Sequence, residues 1–127
     1  MAHKSQLAGF IIDCQTGNLD QATDFWSEAL GLKTETPVDP SESQYRYLKT
    51  APEDIHIEVQ KVDHQSRLHL DIETDNIEAE VARLESLGAK RISEIKQWVV
   101  MEAPTGQRFC VVTPQRANFE SAANSWD

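Results

Sequence analysis

A chain of 127 residues with 39% hydrophobic content is the size of one domain with its own core, and it contains no run approaching the roughly 20 apolar residues of a membrane helix. Its formal net charge of −9, with no basic stripe, repels phosphate backbones and excludes nucleic acid as an expected partner. The opening MAHKSQLAGF has no signal-peptide core, and Cys14 and Cys110 stand far apart without a CxxC pair, so a reduced, cytoplasmic setting is expected.

Leu7 to Cys14 reads as a strand, with Phe10 and Ile12 on one face and Gly9, Ile11 and Asp13 on the other. Asn18 to Leu30 reads as a helix: Leu19, Ala22, Phe25, Trp26 and Ala29 fall at helical spacing. Asn18 caps it, with Gln21 three residues on, and Gly31 ends it. Strand patterns follow over Lys33 to Val38, Gln44 to Lys49 and Asp54 to Val62. The second carries Tyr45 and Tyr47 on one face; the third sets Ile55, Ile57 and Val59 against His56, Glu58 and Gln60. Pro37 to Ser41 is the expected mobile loop, and Asp63 to Ser66 a short linker.

The stretch "RLHLDIE", Arg67 to Glu73, then alternates without a break: Leu68, Leu70 and Ile72 against Arg67, His69, Asp71 and Glu73. A second helix is predicted from about Asn76 to Leu87, with Ile77, Val81, Leu84 and Leu87 as its stripe. Asp75 is its expected N-cap, Glu78 stands three on, and Gly88 closes it. Strands follow over Lys90 to Lys96, Trp98 to Glu102 and Arg108 to Thr113, the last two joined by a hairpin turn, Ala103 to Gly106. In the last, Phe109 and Val111 oppose Arg108 and Cys110. The tail is polar and expected to be loose, with Phe119 and Trp126 as the residues able to dock it.

Both helices end alike, Leu30-Gly31-Leu32-Lys33 and Leu87-Gly88-Ala89-Lys90, an offset of 57 residues that suggests an internal duplication. The expectation is one α+β domain over residues 1–127: two tandem βαβββ modules, about 7–62 and 67–114, and a tail over 115–127. One helix per module covers the apolar face of its strands and leaves the other face open. A merely solvated sheet shows the same alternation. Here, however, the open face pools Asp13, His56, Glu58, His69, Asp71 and Cys110, which is more ligand-like than an ordinary mix of Lys, Thr and Ser.

The order of elements resembles the vicinal oxygen chelate superfamily of glyoxalase I, bleomycin-resistance proteins and extradiol dioxygenases. The matching stretches are "FIIDC", "FWSEALGL", "RLHLDI" and "APTGQRFCVV", in that order from about Leu7 to Pro114. Within that superfamily the chain most resembles the small glyoxalase-like proteins. The resemblance implies a cupped mixed sheet with helices on its outer face and a site on the concave face. It implies a divalent ion held by one residue from the first and last strand of each module. The first position falls on Gly9 or near Ile12, the second on Glu58, the third on His69 and the fourth on Cys110. With no side-chain ligand at the first, His69, Glu58 and Cys110 make a three-ligand set suited to zinc, and Asp13 stands near enough to substitute.

Two functions follow as expectations. One is a lyase or isomerase acting on a small oxygenated molecule, with His69 and Asp71 as a proton shuttle and Glu58 facing them. The other is a non-catalytic protein of the bleomycin-resistance type that sequesters a small molecule or drug; the acidic balance suits a cationic ligand. In either, Asp13, His56, Arg67, Trp98 and Cys110 line the ligand site, Trp98 by stacking or by plugging the core. Relatives commonly pair, so a homodimer is expected.

Overall fold

The computed structural model describes residues 2–127. The alternating first stretch forms β1 (His3–Gln15), longer than its pattern at both ends. Helix α1 (Leu19–Leu30) begins where Asn18 accepts a hydrogen bond from the Gln21 amide, and ends where Gly31 turns left-handed at φ 70°. Three strands follow: β2 (Thr34–Glu35), β3 (Tyr45–Leu48) and β4 (His56–Val62). A single 3₁₀ turn, Pro40–Glu42, stands before β3.

The second module repeats the order with β5 (Arg67–Thr74), α2 (Ile77–Ser86), β6 (Lys90–Ile95), β7 (Trp98–Glu102) and β8 (Arg108–Val112). Its helix is capped by Asn76, which accepts from the Ala79 amide, and not by Asp75. Asp75 instead accepts from the Lys4 amide of β1, so a tertiary contact takes the side chain that local spacing assigned to the cap. Past Gln115 the tail is folded rather than loose. It forms α3 (Phe119–Ala122) and β9 (Asn124–Trp126), with Phe119 buried and Trp126 hydrogen-bonded to Ser5.

The strands join in one sheet in the order β2-β3-β4-β1-β5-β8-β7-β6, with β9 added beside the start of β1. Each module contributes one parallel pair, β1 with β4 and β5 with β8, which its helix makes possible as a crossover. The modules meet where β1 and β5 run antiparallel. Tyr45 on β3 and Trp98 on β7 have four strands between them in this order, yet both line the same hollow, so the sheet is curled into a cup.

The two helices lie on the convex side and build two separate cores. Leu19 and Trp26 of α1 pack with Ile12, Leu48 and Val59; Val81 and Leu84 of α2 pack with Ile72, Val99, Met101 and Val111. Fully burying each such side chain is worth about 1.5–3 kcal/mol. Between the two cores the convex face is open. There Leu68 and Leu70 are 62% and 52% exposed, although their alternation placed them under a helix with Ile72. The alternation assigns a face correctly but does not say how far along the strand a helix reaches. Leu70→Ala is therefore expected to cost less than about 1 kcal/mol in urea unfolding, not the several kcal/mol of a core truncation.

Candidate functional site

The concave face follows from period two and strand register together. His69 and Asp71 are two apart on β5 and share a side. Ile11 on β1 stands between His69 and Glu58, being the register partner of both. Asp71 is paired with Cys110 on β8. These residues line a hollow of about 360 Å³ with Tyr45, Trp98 and the loop residues Asp39, Glu42 and Lys96. A second hollow of about 480 Å³ adjoins it, sharing Tyr45, His69, Trp98 and Cys110 and adding Asp13, Arg67 and Arg108. His56, also expected at the site, lines neither; it pairs with Gly9 on β1.

Asp13 is 2% exposed and lies behind His69, its Oδ2 2.7 Å from His69 Nδ1. A carboxylate only accepts, so Nδ1 donates and Nε2 is the ring nitrogen left free of that bond. That Nε2 stands 3.6 Å from Asp71 Oδ1. Arg67 Nε is 3.8 Å from the same Asp13 oxygen, and Arg108 is engaged by Glu102 at 3.2 Å, so both cleft arginines already have carboxylate neighbours.

Burial governs the electrostatics. It pushes the Glu58 carboxyl up to about 7, with Asp71 and Glu42 adding to the rise and His69 opposing it. It pushes Asp71 up to about 6, with His69 opposing and Asp13 adding. The Cys110 thiol is raised to about 12 by burial and then by Asp71 and Asp13, against Arg67. The Tyr45 phenol is raised as well, by burial and then by Glu58, Cys110, Asp71 and Asp13, which places the ring near all four. Cys14 faces the other way, toward Trp26 on the convex side, and takes no part in the cleft.

The metal pattern implied by the resemblance does not fit this chain. At Gly9 a Cβ would stand 1.9 Å from the His56 carbonyl oxygen, so no side chain of any kind can occupy the position. Ile12, the alternative, packs in the convex core. Among the described residues, His69, Asp71 and Cys110 bring one ligand atom each within 4.8 Å of one another, and Glu58 stands apart from that group.

Residues that the sequence did not single out also enter the site. Asp39, Ser41 and Glu42 come from the loop before β3, Lys96 and Gln97 from the turn between β6 and β7, and Gln115 from the tail. Loops carry no periodicity, so their direction could not be read.

Residues 9–112 match the model of the glyoxalase-like domain family. No curated protein matches the chain. Among solved structures, a hypothetical protein, BH1468 from Bacillus halodurans C-125, superposes with a TM-score of 0.60 at 16% identity, covering 90% of this chain and 99% of its own. A methylmalonyl-CoA epimerase in complex with methylmalonyl-CoA and NH4+ superposes at 0.56, with 12% identity and 89% and 98% coverage. A variant of the Streptomyces coelicolor methylmalonyl-CoA epimerase with 2-nitronate-propionyl-CoA superposes at 0.54, also at 12% identity, covering 88% and 97%. The family match spans most of the sequence and both modules, and these folds agree with it along nearly their whole length: this chain belongs to the glyoxalase-like domain family, within the vicinal oxygen chelate superfamily.

Proposed function

We propose that the cleft binds a small oxygenated organic molecule and moves a proton on it, an isomerase- or lyase-type reaction in which Glu58 is the acid–base carboxyl. The observation that carries this is the placement of Glu58 on the cleft wall with its carboxyl raised to about 7, where it both takes and gives a proton near neutral pH. The proton comes from a carbon next to a carbonyl, and the electron pair left behind moves onto the carbonyl oxygen. That oxygen needs an N–H donor, and His69 supplies one through Nε2 when its ring carries both protons, its Nδ1–H being held by buried Asp13. Tyr45 and Trp98 supply aromatic walls for a small planar ligand. The acyl-CoA ligands in the epimerase structures support small-molecule binding by this fold, though not that substrate here. The open strip around Leu68 and Leu70 is where a second copy of the chain would pack.

A second reading is binding without chemistry. It is favoured by the excess of carboxyls in the first hollow, where Asp39, Glu42, Glu58 and Asp71 face Lys96, a lining that suits a cationic ligand.

Small 2-oxo and 2-hydroxy carbonyl compounds incubated with the protein in D₂O separate the two. Proton NMR should show deuterium entering at the carbon beside the carbonyl. Glu58→Gln should slow that exchange by about 10²–10⁴-fold. Equal exchange by both proteins would remove Glu58 from the mechanism. Thermal-shift binding without exchange would leave the binding reading in its place.

A further inference from the structure

We propose that the second hollow is an oxyanion subsite, in which Arg67 and Arg108 grip a carboxylate or phosphate group on the ligand. The molecule on which Glu58 acts is then an acid anion, with its carbonyl at one end and its charge at the other. That substrate class rests on the proton-transfer reading above; the subsite itself rests on the basic groups alone.

The sheet brings the two arginines together. Arg67 opens β5 and Arg108 opens β8, and these strands are parallel neighbours, so both residues stand at the same end of the cup. Period two puts Arg67 on the face of His69, and Arg108 on the face of Cys110, which is the register partner of Asp71. The charge of Arg67 opposes the rise of the Cys110 thiol, which places that guanidinium over the cleft floor.

Their carboxylate neighbours orient these guanidinium groups without using them up. Arg67 meets Asp13 through Nε at 3.8 Å, an ion-pair distance too long for a hydrogen bond. Arg108 meets Glu102 through Nε as well, at 3.2 Å. Among the described residues, the terminal nitrogens of both arginines have no hydrogen-bond or ion-pair partner. A guanidinium presents a flat fork of N–H donors, and the pair on its terminal nitrogens matches the two oxygens of a carboxylate or phosphate.

The hollow around them is basic although the chain carries a net charge of −9. Lys61, Arg67, Lys96 and Arg108 line it against Asp13 and Asp63, and Asp13 is buried and shared between His69 and Arg67. The first hollow has the opposite sign, with four carboxyls against Lys96. An anionic group is therefore repelled from the Glu58 end and drawn to the arginine end, which sets which way round the ligand lies. Lys96 adds a second sign of use. It stands in the two-residue turn between β6 and β7 at φ 53°, a place that glycine, asparagine or aspartate takes at lower cost, and it lines both hollows. Two residues along a strand is roughly 7 Å, so a carbonyl beside His69 and an oxyanion beside Arg67 are joined by a short chain.

Isothermal titration calorimetry with two matched pairs provides the test: 4-oxopentanoate against its methyl ester, and hydroxyacetone phosphate against hydroxyacetone. Each anion should bind the wild-type protein at least about tenfold more tightly than its neutral partner, as hydrogen bonds to charged groups imply. Added salt should narrow that gap. Whichever anion binds more tightly identifies the oxyanion as carboxylate or phosphate. The preference for the anion should shrink severalfold in Arg67→Gln and in Arg108→Gln and vanish in the double variant. Arg108→Lys, which keeps the charge and loses the fork, should keep only part of it. Arg67→Gln also takes a neighbour from buried Asp13, so circular dichroism checks its fold; Arg108→Gln, whose partner Glu102 is partly exposed, carries the test on its own. Deuterium exchange on the same compounds keeps the two readings apart. An arginine-dependent preference without exchange leaves the subsite standing and removes the reaction, whereas exchange without any preference removes the subsite and leaves the reaction. Anions that bind no better than their neutral partners, or a preference that survives the loss of both arginines, would overturn the subsite.

Discussion

Gly9→Ala is expected to abolish the native fold. Gly9 lies inside β1, the strand at the junction of the two modules, paired on one side with His56 of β4 and on the other with Asp71 of β5. Just before it the ladder with β5 slips, between Leu7 and Gly9, and the strand presses toward β4. A methyl group there would stand 1.9 Å from the His56 carbonyl oxygen, 2.6 Å from its nitrogen and 2.7 Å from its carbonyl carbon. All three are main-chain atoms, so no side chain can swing aside. Either β4 separates from β1 or the variant does not fold. The expected cost is about 4 kcal/mol or more, in the range reserved for main-chain conflicts and broken cores. Urea unfolding of the soluble fraction measures it. A Gly9→Ala protein with a wild-type midpoint would show that the strands are not this close.

The same glycine shows what the sequence carried. A glycine inside a strand pattern marks a bulge or a close approach, and Gly9 is both. It also stands where the superfamily resemblance expected a ligand, which is why the pattern failed at that position: the space belongs to His56. Alternation in "RLHLDIE" and "IHIEV" placed His69, Asp71 and Glu58 on one face, and pairing across β1 and β8 brought Asp13 and Cys110 to them. What alternation lacks is register between strands and the curl of the sheet. Those decide that Asp71 and not Glu58 stands with His69 and Cys110. They also decide that Leu70 lies in the gap between two helices. Caps were legible where the contest was local, as at Asn18, and not where β1 claimed Asp75.

Glu73 joins the fold to the cleft by a route the sequence concealed. Alternation put it on the same face as His69 and Asp71, where a solvated carboxylate would be ordinary. It is instead 0% exposed, because the tail expected to be loose folds back over it. Its carboxylate accepts from Gln6 Nε2 at 2.6 Å and from the main-chain amides of Gln115 and Arg116. Arg116 then reaches the Leu7 carbonyl at 2.9 Å and the Glu53 carbonyl at 3.0 Å, tying the tail to the first module as Glu73 ties it to the second. Farther on, β9 pairs with β1, and Arg83 of α2 lies 4.0 Å over the Trp126 ring.

Glu73→Ala removes the acceptor and strands two main-chain donors. At about 1–3 kcal/mol for each buried group left unpaired, the expected loss is about 3–5 kcal/mol by urea unfolding. Glu73→Gln keeps one acceptor oxygen and should lose less. Amides of α3 and β9 should exchange with solvent faster in Glu73→Ala, because the anchor between the tail and β5 is gone. Gln115 also lines the first hollow, so release of the tail opens one wall of the cleft. Ligand affinity should therefore fall in Glu73→Ala although the residue touches no ligand, while the His69–Asp13 pair stays in place. A wild-type midpoint with unchanged exchange in the tail would mean that Gln115 and Arg116 find other acceptors and that Glu73 does not hold the wall.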